Sequence, residues 1–98
     1  MRKRGRVDST HGDIVATFRK GSWQVLSLAP LGGGAPDLLV APPWVTLGNP
    51  RIRPMYLIEC KTGKGKLREA QQAFSARWPV FVLRSVEDVL AFMKNPGA

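Results

Sequence analysis

The stretch Met55-Tyr56-Leu57-Ile58-Glu59-Cys60-Lys61 constrains this chain most, because an apolar β-type run ends in two opposite charges. Side chains alternate along a strand with period two, so Glu59 and Lys61 project to one face while Cys60 turns to the other. The unbroken apolar run Tyr56-Leu57-Ile58 predicts a strand covered on both faces. A carboxylate and an ammonium at the end of such a strand are costly unless they are paired or put to use. Nineteen residues earlier, Pro36-Asp37-Leu38-Leu39-Val40 is a second apolar run, with an acid at its beginning. If the two strands are neighbours, Asp37, Glu59 and Lys61 form a cluster of two acids and one lysine. That combination suits a divalent cation with an ammonium beside it.

The remaining elements follow from local signals. Asp8 or Ser9 offers an N-cap for a helix running to about Lys20, with Ile14, Val15 and Phe18 as its apolar stripe and Gly21 as its stop. Trp23 to Leu28 reads as the first strand, broken by Pro30 and by Gly32-Gly33-Gly34. Beside Asp37 those glycines serve as a flexible turn, or as a place where a DNA backbone approaches without obstruction. Leu38 to Val40 is the second strand and Met55 to Lys61 the third. Between them, Ala41 to Pro54 is rich in proline and reads as a long hairpin connection. Trp44 in it stacks, packs at a dimer surface, or is a buried anchor of a surface loop. Arg68 to about Trp78 is a second helix, and Val80 to Leu83 the fourth strand. Ser85 caps a last helix with Val86, Val89, Leu90 and Met93 as its buried stripe.

Ninety-eight residues make one domain. The expected division is a basic arm over residues 1–6, carrying Arg2, Lys3, Arg4 and Arg6, followed by a single domain over 7–95. Fifteen Lys and Arg against seven Asp and Glu give a net charge of +8, which favours a polyanionic partner through phosphate contacts. The arm either lies along a phosphate backbone or is a solvated tail. Arg51 and Arg53 in the hairpin connection are further candidate phosphate contacts. So are Lys64 and Lys66, in the turn that follows the third strand, unless they are ordinary solvated lysines. A single cysteine, Cys60, excludes an internal disulfide and a cysteine-based zinc site, and fits a reducing cytoplasm. Within its apolar run it reads as a packing residue rather than a nucleophile. No apolar run reaches the length of a membrane span. The glycines and lysines around residues 63–66 lack the pattern of a nucleotide-binding P-loop. His11, the only histidine, reads as a solvated or capping residue beside a helix start and is assigned no role.

The Pro36-Asp37 pair, the spacer and the Glu59-Cys60-Lys61 triplet resemble the PD-(D/E)XK nuclease superfamily. The flanking text, from Leu28 through Gly32-Gly33-Gly34 and Asp37, then Leu57 to Leu67, Gln71, and Val80 to Asp88, resembles its VRR-NUC domain over roughly residues 7 to 93. The resemblance implies an α/β, restriction-endonuclease-like fold: a small mixed sheet flanked by helices, in the order αβββαβα. It implies Asp37 and Glu59 as ligands of Mg²⁺ or Mn²⁺, joined by the Cys60 carbonyl. Lys61 then orients or activates the attacking water, and Gln71 faces the site, where its amide holds that water or Lys61. An acidic residue on the first helix near the metal is also implied. Asp13 takes that position, acting through water because it is a methylene shorter than the usual glutamate; otherwise it simply favours the helix N-terminus.

The function implied is metal-dependent hydrolysis of phosphodiester bonds by a homodimeric, structure-selective DNA endonuclease, acting on branched DNA such as four-way (Holliday) junctions in the cytoplasm of a bacterial or phage-infected cell. A non-catalytic nucleic-acid-binding module, or an interaction subunit of a larger nuclease or repair assembly, is the alternative. The complete set Asp37, Glu59 and Lys61 argues against the binding module, and an interaction subunit predicts no cleavage by the isolated chain.

Overall fold

The computed structural model describes residues 6–43 and 53–97, with side chains from residue 10 onward. Arg2, Lys3, Arg4, Trp44 and Arg51 lie outside the described residues. The element order is α1 (Arg6–Lys20), β1 (Gln24–Ser27), a 3₁₀ turn (Ala29–Leu31), β2 (Leu38–Ala41), β3 (Tyr56–Cys60), α2 (Glu69–Arg77), β4 (Val80–Leu83) and α3 (Val86–Lys94). Apart from the short 3₁₀ turn, this is the expected αβββαβα order.

The strands form one mixed sheet in the order β1-β2-β3-β4. β1 and β2 pair antiparallel, as do β2 and β3, with Leu38 opposite Ile58 and Val40 opposite Tyr56. β3 and β4 are parallel, with Ile58 opposite Phe81 and Glu59 opposite Val82. The parallel pair needs a crossover, and α2 supplies it. Alternation then sorts the side chains. Leu38, Val40, Ile58 and Leu83 share one face with Ile14 and Phe18 of α1 and Val89 and Phe92 of α3, and together with Trp23 they form the core. Within it the rings of Phe18, Trp23, Tyr56, Phe81 and Phe92 meet at centroid distances of 5.2–6.2 Å, the range in which tilted and edge-on aromatic pairs attract. Leu39, Leu57 and Glu59 point to the opposite face, where Glu59 meets Gln71 of α2.

Several local expectations shift. α1 opens at Arg6, so Asp8 and Ser9 lie inside the helix rather than capping it, and residue 6 belongs to the helix rather than to the arm. The helix ends in a Schellman motif: Trp23 N–H donates to the Phe18 carbonyl at 3.1 Å and Ser22 N–H to that of Arg19 at 2.9 Å. The left-handed residue is Ser22, with φ of +66°, not Gly21. A Cβ at Gly21 would meet the terminal methyl of Met93, the far end of a flexible side chain in α3 that can turn aside. In α3, Ser85 caps as expected, accepting from Asp88 N–H at 3.1 Å. Its buried positions are Val89 and Phe92, whereas Leu90 is 53% exposed. The ring of Phe92 is the better fit to the aromatic core, and it fixes the rotation of the helix.

Candidate active site

Asp37 precedes β2 and Glu59 lies near the end of the adjacent β3, so the antiparallel pairing brings the two acids side by side. The Asp37 Oδ2 accepts a hydrogen bond from Cys60 N–H at 2.8 Å, and the Asp37 carbonyl accepts from Leu28 N–H at 2.8 Å. Glu59 is only 4% exposed. Its Oε2 accepts from Gln71 Nε2 at 2.9 Å and lies 3.9 Å from Lys61 Nζ. Gln71 is held at its other end too, because its Oε1 accepts from Arg68 N–H at 2.8 Å. This bond returns to the start of α2 in the manner of the second half of a capping box, and it fixes which way the amide faces.

These groups line a cleft of about 240 Å³ bounded by Thr10, His11, Asp37, Glu59, Cys60, Lys61, Thr62, Arg68 and Gln71. Burial pushes the Glu59 carboxyl up to about 7, and the Asp37 charge and a hydrogen bond between the two acids push the same way, against the pull of Lys61 and Arg68. A hydrogen bond between carboxyl groups requires one of them to carry the proton. With both acids ionised, the pair would hold one negative charge more than Lys61 balances, and burial makes that charge costly, so Glu59 is protonated more easily than an ordinary carboxyl. A divalent cation answers the same need. Two adjoining carboxylates are the oxygen donors that Mg²⁺ or Mn²⁺ prefers. Burial, reinforced by Asp37 and Glu59, also drives the Cys60 thiol up to about 12. It stays protonated at neutral pH and is a packing group rather than a nucleophile.

Of the expected site residues, Asp37, Glu59, Lys61 and Gln71 converge, and Cys60 lines the cleft with them. Gln71 holds Glu59 rather than Lys61. Its neighbour Gln72 is exposed and donates to the Leu67 carbonyl. Asp13 is exposed and is not among the cleft residues. Helix geometry explains this: Ile14 points into the core, and Asp13 is rotated about 100° from it. His11 and Thr10 are rotated by only about 60° and about 40°, and these are the residues α1 sends to the cleft. The signal was present in the spacing to Ile14 and Phe18.

The basic candidates are dispersed. Lys64 and Lys66 are exposed on the turn beyond Lys61. That turn is tied down by Arg84, whose Nη1 donates to the carbonyls of Gly63 at 2.9 Å and Gly65 at 2.7 Å. Arg53 lies at the other end of β3 from Glu59, where Nε and Nη2 donate to the Pro42 carbonyl at 3.0 and 2.7 Å and clasp the base of the hairpin. Arg68, just before α2, is a cation of the cleft itself. Neither Arg68 nor Arg84 carried a sequence signal, since each acts through a fold contact. The triple glycine divides as well. Gly34, with φ of +83°, packs so closely on the Ala70 backbone that a Cβ would collide, whereas Gly32 and Gly33 face open space. No helix among the described residues is long and apolar enough to cross a membrane. Comparison with protein-family models, with curated proteins and with solved structures finds no match to this chain.

Proposed function

We propose that this chain is a nuclease of the PD-(D/E)XK type, similar to VRR-NUC domains. It is a divalent-metal-dependent, structure-selective endonuclease that hydrolyses phosphodiester bonds in branched DNA such as four-way junctions. The observation that carries the reading is the meeting of two acids, a lysine and a glutamine in one cleft. Within it Glu59 touches both Gln71 and Lys61, and Asp37 stands against Glu59. Asp37 and Glu59 would hold Mg²⁺ or Mn²⁺, with the Cys60 carbonyl as a further oxygen ligand. When bound, the cation supplies a water that is nucleophilic near neutral pH and charge stabilisation at phosphorus. Lys61 orients that water and offsets negative charge developing on the phosphate. Gln71 holds the Glu59 carboxylate in the ligating position. Arg68 at the cleft, with Lys64 and Lys66 on the adjoining turn, supplies cations along the path of a phosphate backbone, and the net charge of +8 favours such a partner.

A homodimer fits the task, because symmetric cutting of two strands needs two sites. Leu26, Leu39 and Leu57 are cross-strand neighbours on the sheet face opposite the core. Leu26 is exposed, as are Met55 and Trp78, and such an apolar patch supports association.

The test is incubation of a labelled four-way junction and a matched linear duplex with the protein in Mg²⁺, in Mn²⁺ and in EDTA. Symmetric cuts in the junction alone, dependent on metal, are the expected result. Equal cutting of the duplex would remove the structure selectivity. Binding without cutting in either metal would favour a DNA-binding module.

A further inference from the structure

The proposed chemistry leaves the imidazole of His11 unused, along with the hydroxyls of Thr10 and Thr62 in the same cleft. α1 brings the imidazole to the wall shared with Asp37, Glu59, Cys60 and Lys61. One of its ring nitrogens, an Asp37 carboxylate oxygen and the Cys60 sulfur all lie within 4.8 Å of one another. Two ligands of one octahedral ion, each about 2.1 Å from it, are about 3 Å apart when adjacent and about 4.2 Å apart when opposite. A small turn of the half-buried side chain therefore brings the nitrogen and the carboxylate oxygen onto a common ion. We propose that His11 is a direct nitrogen ligand of the divalent cation held at Asp37, and that it biases the site toward Mn²⁺ over Mg²⁺. This deepens the metal-site reading and rests on it.

Charge and hardness support the assignment. Two carboxylates already neutralise a divalent cation, so a third ligand from α1 is cheapest if it is neutral, as an imidazole is and an aspartate is not. Mg²⁺ demands oxygen ligands and gains little from imidazole, while Mn²⁺ stands higher in the order of affinity for nitrogen donors. The Cys60 sulfur in the same group is soft, and so is poorly matched to either ion. Asp13 is not in the cleft, which leaves His11 and Thr10 as the described contribution of α1.

Because His11 is the only histidine in the chain, the test is direct. Protein prepared without a histidine tag is loaded with Mn²⁺ and examined by pulsed electron paramagnetic resonance for the nitrogen coupling of a coordinated imidazole. Mn²⁺ and Mg²⁺ affinities are measured alongside for wild type, His11→Ala and Asp37→Ala. The expected result is imidazole coupling in wild type that disappears in His11→Ala. That variant should also lose about tenfold or more in Mn²⁺ affinity, with Mg²⁺ affinity changed much less. Mn²⁺ bound in wild type without imidazole coupling, and released by Asp37→Ala, would overturn the role of His11 and leave the two-acid site standing. Absence of Mn²⁺ binding at millimolar concentrations would overturn both. The wild-type spectrum decides the matter even if a variant folds poorly, and circular dichroism reports whether it has.

Discussion

Burial strips water from Glu59 and Asp37 adds a second carboxyl to the same pocket, so its proton is held to about 7 rather than the ordinary 4.5. The sign of the consequence follows from linkage. The folded state binds this proton more tightly than the unfolded chain does, so the stability it contributes is complete below about pH 4.5 and is lost as pH rises through about 7. In EDTA, the melting temperature should fall between about pH 5 and about pH 8. Adding Mg²⁺ or Mn²⁺ should raise it more at the upper end, where the cation no longer competes with the proton. A flat profile in EDTA would contradict the coupled acid pair. Gln71 acts on the same carboxylate. Gln71→Ala removes the donor to Glu59 Oε2 and the acceptor of Arg68 N–H. The variant should cost about 1–3 kcal/mol in denaturant unfolding and lower cleavage by about 10- to 100-fold. The neighbouring Gln72→Ala, which gives up only an exposed bond to Leu67, should do neither.

At the scale of elements, the site depends on α2 lying close to the loop before β2, and Gly34 sets that approach. Gly34→Ala meets two penalties at once, a left-handed backbone and a collision with the Ala70 main chain. It should destabilise the fold by about 1–3 kcal/mol or more, and displace Gln71 from Glu59. Gly33→Ala has the same kind of backbone but open space around it, so it should carry only the left-handed cost of about 1–2 kcal/mol. Comparing the two by chemical denaturation isolates the contact, and equal losses would contradict it. Strand alternation alone placed Glu59 and Lys61 on one side of β3, and the spacing of the apolar runs gave the order of the elements. What stayed hidden were contacts made only in three dimensions. Ser22, not Gly21, takes the left-handed position, because the closing bonds of the helix run from Ser22 to Arg19 and from Trp23 to Phe18. Phe92 displaces Leu90 from the core because four other rings await it. Arg84 reaches back across about twenty residues to fasten the turn bearing Lys64 and Lys66. The resemblance points to Asp13 by residue type, although the phase set by Ile14 and Phe18 favours His11.

Across the whole molecule, a strongly basic chain carries, among the described residues, the buried Glu59 and the half-buried Asp37 side by side where its two central strands meet. The positive excess would draw in a polyanion, and the two acids would hold the cation that acts on it. The most direct test follows metal-dependent cleavage of a labelled four-way junction by wild type, Asp37→Asn, Glu59→Gln and Lys61→Ala, in Mg²⁺ and in EDTA, with binding measured on the same samples. Cutting by wild type only when metal is present, with each variant at least about a hundredfold slower while still binding the junction, is the predicted result. Variants that cut as fast as wild type, or a wild-type protein that binds the junction and leaves it intact in both Mg²⁺ and Mn²⁺, would contradict the account.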